Sequence, residues 1–172
     1  SLPANIDIQQ DIDLNCGPVL CDKTQIYQIM INLCNNAQHA MGEKGGTLTV
    51  SLKQIQASLN IGNPDTDVLE LTVSDTGHGI DTADLEKIFD PFFTTKELGQ
   101  GTGLGLSVIH GIVEMMEGHI SVTSEIGKGT TFLILFPTTT IAVERNMVNS
   151  PVEVARGVAA CCWLMMKRAL DQ

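Results

Sequence analysis

The stretch DKTQIYQIMINLCNNAQHAM, Asp22 to Met41, decides the fold. Ile26, Ile29, Met30, Leu33, Ala37, Ala40 and Met41 recur at helical spacing behind an N-capping aspartate, and Gly42 with Gly45-Gly46 ends the run. The spacing predicts one amphipathic helix over Asp22–Met41. Its apolar stripe needs a second layer to cover it. Asn32, Asn36 and His39 fall together on another face, three and four residues apart.

The flanks supply strands for that layer. Upstream, Ile6, Ile8, Ile12 and Leu14 fall on even positions, which predicts a half-buried strand over Asn5–Leu14 with an irregularity near Gln10. Downstream, Leu48, Val50 and Leu52, then Leu69, Leu71 and Val73, alternate with polar partners on either side of the turn-rich Gly62-Asn63-Pro64-Asp65. Asp81 or Thr82 is placed to cap a short helix through Ile88. Asp90 to Gly105 holds too many glycines and threonines for a regular element, and a loop of that length is usually functional. Leu104–Met116 resumes helical spacing until Gly118, and Ile120–Val122 and Thr131–Phe136 flank Gly127-Lys128-Gly129 as a closing hairpin. This order predicts an α/β fold, a two-layer α/β sandwich in which helices cover one face of a mixed β-sheet.

Composition sets the outer limits. The 172 residues are 43% apolar, enough for one packed core, so a disordered or fibrous chain is excluded. A formal charge of -10 repels polyanions, so nucleic acid and acidic membrane faces are not expected partners and any phosphate must be held locally. With no long apolar run and no basic-then-apolar start, the chain as given reads as cytoplasmic, without direct membrane contact. Cys16, Cys21, Cys34, Cys161 and Cys162 are odd in number and lack Cys-x-x-Cys spacing, as expected of buried or free thiols.

Three clusters carry chemistry. Amide oxygens from Asn32 and Asn36 suit a hard magnesium ion that keeps several waters, although the same pair is also an ordinary polar helix face. Asp75 closes an apolar strand and precedes Gly77 and Gly79, so its carboxylate can accept from an exocyclic amine, although such a turn is commonly only a turn. Gly99, Gly101, Gly103 and Gly105 alternate directly before an apolar helix, which exposes backbone N–H groups and a helix N-terminus to phosphate. A dinucleotide fold uses a similar glycine string. It requires a strand immediately before the glycines, and here the polar loop Thr94–Gln100 precedes them. Lys96 is placed to reach a terminal phosphate or simply to be solvated, and Phe92-Phe93 to anchor a loop or fill the core.

In order along the chain, Asn32-Leu33-Cys34-Asn35-Asn36-Ala37, Asp75-Thr76-Gly77-His78-Gly79-Ile80, Asp90-Pro91-Phe92-Phe93 and Gly101-Thr102-Gly103-Leu104-Gly105-Leu106 resemble the N box, first glycine box, phenylalanine box and second glycine box of histidine kinases. These share a family with DNA gyrase, the ninety-kilodalton heat-shock chaperone and mismatch-repair ATPases, and the resemblance covers Asn5 to Pro137. It implies a Bergerat fold with a long ATP lid, binding ATP and Mg2+. Asn36 is then the metal ligand, and His39 stands where the family often places a basic residue. Asp75 takes the adenine amino hydrogen, Gly77 and Gly79 make room for the nucleotide, and Ile80 and Phe92 are further nucleotide-binding positions. Gly101, Thr102, Gly103, Leu104, Gly105 and Leu106 face the phosphates with Lys96, and Gly99 is a lid hinge. Thr130 matches a position supporting the adenine contact, though a threonine at a strand start is equally ordinary.

Hydrolysing relatives carry a glutamate four residues before the metal asparagine, because an attacking water must lose a proton. Here that position is Asn32, and an amide is no base at neutral pH. The resemblance therefore implies a protein histidine kinase domain, with Asn32, Asn36, His39 and Lys96 as its catalytic set and an imidazole on a separate dimerisation hairpin as acceptor. His39, His78, His110 and His119 do not fit the acceptor pattern, so the hairpin is expected upstream of Ser1. The wording Asn36-Ala37-Gln38-His39-Ala40-Met41, Phe92-Phe93-Thr94-Thr95-Lys96 and Gly105-Leu106-Ser107-Val108-Ile109-His110-Gly111 is similar to nitrogen-regulation and hybrid sensor kinases, which implies a response regulator or receiver domain downstream. A nucleotide-dependent interaction module without phosphotransfer is the alternative from another class.

The domain reading is 1–137 for the ATP-binding part and 138–172 for a tail. A cationic-apolar stretch, Gly157–Leu170, is compatible with a short partner-binding helix. A second reading comes from codons: Met165-Met166-Lys167 requires ATG-ATG-AA, and one base earlier, with permissive neighbours, Cys161–Lys167 becomes Val-Leu-Leu-Val-Asp-Asp-Glu. That resembles the start of a receiver domain, read out of frame. Encoding DNA unable to give the acidic pair in the other frame would end the idea.

Overall fold

The computed structural model describes residues 5–56, 67–96, 101–139 and, for the backbone alone, 153–155. Strand β1 (Ile6–Ile12) and the short β2 (Val19–Cys21) lead into α1 (Lys23–Met41), followed by β3 (Gly46–Gln56) and β4 (Asp67–Asp75). Helix α2 (Gly105–Met115) precedes the hairpin β5 (His119–Glu125) and β6 (Gly129–Pro137), and β7 (Glu153–Ala155) pairs antiparallel with β2. The main sheet has the order β1-β3-β4-β6-β5; only β1 and β3 are parallel, joined through α1 as a parallel pair requires.

Register explains why one face is apolar. Leu48 lies opposite Asp75, Val50 opposite Val73 and Leu52 opposite Leu71; across the next pair Val73 meets Phe132, Leu71 meets Ile134 and Leu69 meets Phe136. Cross-strand partners share a face, so these rows make one apolar floor. α1 buries Ile26, Ile29, Met30, Leu33, Ala37 and Met41 against it and packs beside α2, whose Ile109, Ile112 and Val113 are also buried. Half-exposed Thr49, Ser51, Thr72 and Ser74 occupy the opposite face. The two-layer sandwich is as predicted.

Local signals set the helix ends. Asp22 caps α1 by accepting from Thr24 N at 2.7 Å, and Gly42, at φ 54°, returns its N–H to the Gln38 carbonyl. α2 lies one residue inside each predicted end, with Leu104 and Met116 as its caps. Among the described residues no helix is long and apolar enough to cross a membrane.

Three expectations need correction. β1 pairs with β3 in unbroken register through Gln10, and Leu14, 67% exposed, lies beyond the strand end. The helix expected from Asp81 or Thr82 to Ile88 is a run of overlapping turns, in which Asp84 N donates to Asp81 O and Lys87 N to Asp84 O. Asp81 does cap its first turn, accepting from Ala83 N at 2.9 Å, but so short a segment gains too few successive bonds to offset helix nucleation. The β2–β7 pair has no counterpart in the sequence reading. Cys16 and Cys34 are free thiols among the described residues, and burial pushes that of Cys34 up to about 11. Gly99, the Gly157–Leu170 stretch, Cys161 and Cys162 lie outside the described residues.

Candidate nucleotide site

The site begins at the C-terminal end of β4. Asp75, 7% exposed, accepts from Gly77 N at 2.8 Å. Burial raises its carboxyl above the ordinary range, against hydrogen bonding from the Gly77 and Thr130 backbones and the nearby His78, which pull it down. A buried, partly satisfied carboxylate at the edge of the apolar floor is a strong acceptor for an N–H donor. Its cross-strand partner Thr130 is equally buried.

The first glycine box is tied to its surroundings on both sides. His78 N donates to the Ala40 carbonyl of α1 at 3.0 Å, and Gly127 N, in the β5–β6 turn, donates to the His78 carbonyl at 2.8 Å. His78 Nδ1 sits 2.6 Å from Gly79 O, so it carries the proton there, since a carbonyl can only accept. A Cβ at Gly77 would fall 2.6 Å from the Ala40 backbone. The glycine expected to make room for a nucleotide is required first by α1 itself. Ile80, half-buried, donates its N–H to Ser124 Oγ at 2.8 Å.

α1 forms the opposite wall. Asn32 donates from Nδ2 to Gly105 O at 3.3 Å, joining α1 to the first turn of α2. Asn36, one turn on, is half-buried, and among the described residues its carboxamide has no hydrogen-bond partner. His39 lies at the exposed end of the same face; partial burial and the Lys96 charge lower its pKa. Desolvation also lowers that of Lys96, whose stem would lie 3.0 Å from a Cβ at Gly101. The loop thus brings the Lys96 charge within electrostatic reach of His39 on α1.

The glycine loop delivers α2 to this wall. Leu104 provides no side-chain cap, so the first N–H groups of α2 remain available for an anion. Thr102 is exposed and its Oγ1 accepts from Leu104 N at 3.4 Å; Leu104 is 37% exposed and Leu106 half-buried. Phe92, expected beside the nucleotide, is 73% exposed at φ 67°, and Phe93 packs on the core instead. His110 contacts Phe89 and pairs with Glu114 at 3.5 Å on α2, and His119 opens β5 in solvent.

The residues fit magnesium and ATP in kind. No group of three His, Cys, Asp or Glu able to hold a metal occurs among the described residues, so a protein-only cage is absent there. A half-buried asparagine amide one turn from Asn32 is the kind of oxygen donor that suits an ion otherwise held by phosphate and water. Ser124 is the residue that sequence reasoning missed. The hairpin turn sets it opposite Thr130, and Thr130 opposite Asp75, so its place was readable from strand register.

Fold and site together define an ATP-binding α/β sandwich. The family model described as histidine kinase-, DNA gyrase B- and HSP90-like ATPase matches residues 21–140, and the chain belongs to this family. The chain is 42% identical over 153 residues to sensor kinase CckA of Brucella abortus (strain 2308), covering 86% of this chain and 16% of that protein. Among solved structures, the nucleotide-free catalytic domain of histidine kinase ThkA matches at 34% identity and TM-score 0.62, over 78% of this chain and 80% of that one. Full-length ShkA in complex with AMPPNP matches at 25% identity and TM-score 0.62, over 80% of this chain and 27% of that one.

Proposed function

We propose that the chain is the catalytic part of a sensor histidine kinase of the nitrogen-regulation or hybrid kind, passing the γ-phosphate of ATP to a histidine on a separate dimerisation hairpin. Residues 1–137 form the catalytic domain and 138–172 a tail outside it. Asp75, with Thr130 beside it, accepts from the adenine amine, Gly77, Gly79 and Ile80 line that end, and Phe92 contacts the nucleotide from the base of the glycine loop. Gly101, Thr102, Gly103, Leu104, Gly105 and Leu106 present backbone N–H groups and the α2 N-terminus to the phosphates. Lys96 and His39 approach the terminal phosphate from the α1 side.

Asn36 would hold Mg2+, which supplies charge neutralisation and orients the phosphates when bound. The protein contributes positioning and electrostatics, and the nucleophile comes from the hairpin. One observation carries this division of labour: Asn32, where a general base would stand, donates its amide to Gly105 O. Water activation has no residue assigned to it. The phosphohistidine then serves a response regulator or receiver domain, and the kinase works on the cytoplasmic side.

The test incubates the chain with γ-labelled ATP and a hairpin taken from a related kinase. Acid-labile, base-stable label on the hairpin is the expected product. Steady phosphate release without a hairpin, and no labelled hairpin, would overturn the reading.

A further inference from the structure

Three polar side chains form one row across three strands. Asp75 on β4 is the register partner of Thr130 on β6, and Thr130 is the register partner of Ser124 on β5. Directly opposed residues share a sheet face, so the row continues the apolar line of Ile8 and Leu48 into the base pocket.

Proton counting orients this row. Ser124 Oγ accepts from Ile80 N at 2.8 Å and lies 3.0 Å from Gly129 O and 3.0 Å from Thr130 Oγ1. A carbonyl has no proton to give, so the contact with Gly129 O uses the single Ser124 proton. The Thr130 contact is then a bond donated by Thr130. With its proton committed to Ser124, Thr130 Oγ1 offers only lone pairs beside the Asp75 carboxylate.

We propose that Ser124 is a positioning residue that fixes the direction of the Thr130 hydroxyl and makes the pocket select a purine with an amine, rather than an oxo group, at position 6. Two neighbouring acceptors suit the two hydrogens of a 6-amine. A 6-oxo group, itself an acceptor, meets them unfavourably, and a site left with unpaired polar groups discriminates strongly. The inference rests on Asp75 as the base-reading group. It adds that discrimination is shared with a hydroxyl whose polarity is set from a third strand.

The test compares affinities of the full chain for ATP and inosine triphosphate by calorimetry. The wild type prefers ATP. Ser124→Ala frees the Thr130 hydroxyl to turn and donate, so the ATP/inosine triphosphate ratio narrows about five- to tenfold, with inosine triphosphate binding tighter in absolute terms. Ser124→Thr, which keeps the hydroxyl, restores the ratio, and in a Thr130→Val background Ser124→Ala changes it no further. Should Ser124→Ala not fold, Ser124→Cys, similar in shape and only a weak acceptor, carries the same expectation. An unchanged ratio in the folded variant, or an equal shift with and without Thr130, overturns the proposal. Asp75→Asn separates the two levels: loss of base preference there with none in Ser124→Ala sinks the relay alone, and retained preference in Asp75→Asn sinks the base-reading assignment beneath it.

Discussion

Phe92 and Gly103 hold one another across the base of the glycine loop. Phe92 N donates to Gly103 O at 2.9 Å, both residues have positive φ, and a Cβ at Gly103 would lie 2.4 Å from the Phe92 carbonyl carbon. Residues 92 and 103 are therefore fixed to one another by a tight backbone contact. Gly103→Ala should break it, through both the left-handed backbone and the steric overlap. The expected result is about tenfold weaker ATP binding with a stability loss of about 1–2 kcal/mol, read by calorimetry and thermal melting. Unchanged ATP affinity would separate the contact from nucleotide binding.

Asp75 links function to stability with opposite signs. Its pKa is raised above 3.8, so the folded protein disfavours the ionised form, and the associated stability is lost as pH rises through the raised value. Asp75→Asn should thus melt no lower than the wild type at pH 7, read by thermal melting, while ATP binding is severely weakened.

Acidity should act on the wild type through the same carboxylate. ATP affinity is expected to fall as pH drops through a range above 3.8, because protonation removes an acceptor lone pair. The same titration in Asp75→Asn should lack this loss of affinity.

Polyphosphate binding should draw protons into the site. Burial and Lys96 lower the pKa of His39 below 6.5, and burial lowers that of Lys96. Phosphates placed against both groups favour their charged forms. Calorimetry near pH 6.5 in buffers of differing ionisation enthalpy should report proton uptake with ATP, reduced in His39→Ala; an apparent enthalpy independent of buffer contradicts it.

Asn36→Ala tests the metal assignment. The part of ATP affinity that depends on Mg2+ should drop about tenfold or more, while affinity measured with a chelator stays at the wild-type level. Stability should change little, because alanine is the better helix former at a half-buried position.

Features carried by short-range signals were legible. The cap, stripe and stop of α1 all lie within the helix and its flanks, and the alternating apolar positions of β3, β4 and β6 fall on one face. β2 was not legible, because its three residues become a strand only through pairing with Glu153–Ala155. The turn run after Asp81 carries a helix cap without the length to use it. Within the site, the glycine boxes and paired asparagines stood out by motif. Ser124 carries no motif and follows only from counting register back from the β5–β6 turn, and the influence of Lys96 on His39 depends on the return of the loop, which no local pattern records.

The Asn32–Gly105 bond has a consequence for ancestry. A glutamate in this place would turn an acceptor toward the Gly105 carbonyl, loosening the joint between α1 and α2 as it introduced a base. Conversion between a phosphate donor and a hydrolase is therefore a two-site problem: a substitution at Asn32 must be matched by one that rebuilds the start of α2. In this chain the choice of attacking group is thereby tied to how two helices are fastened as well as to the chemistry between them.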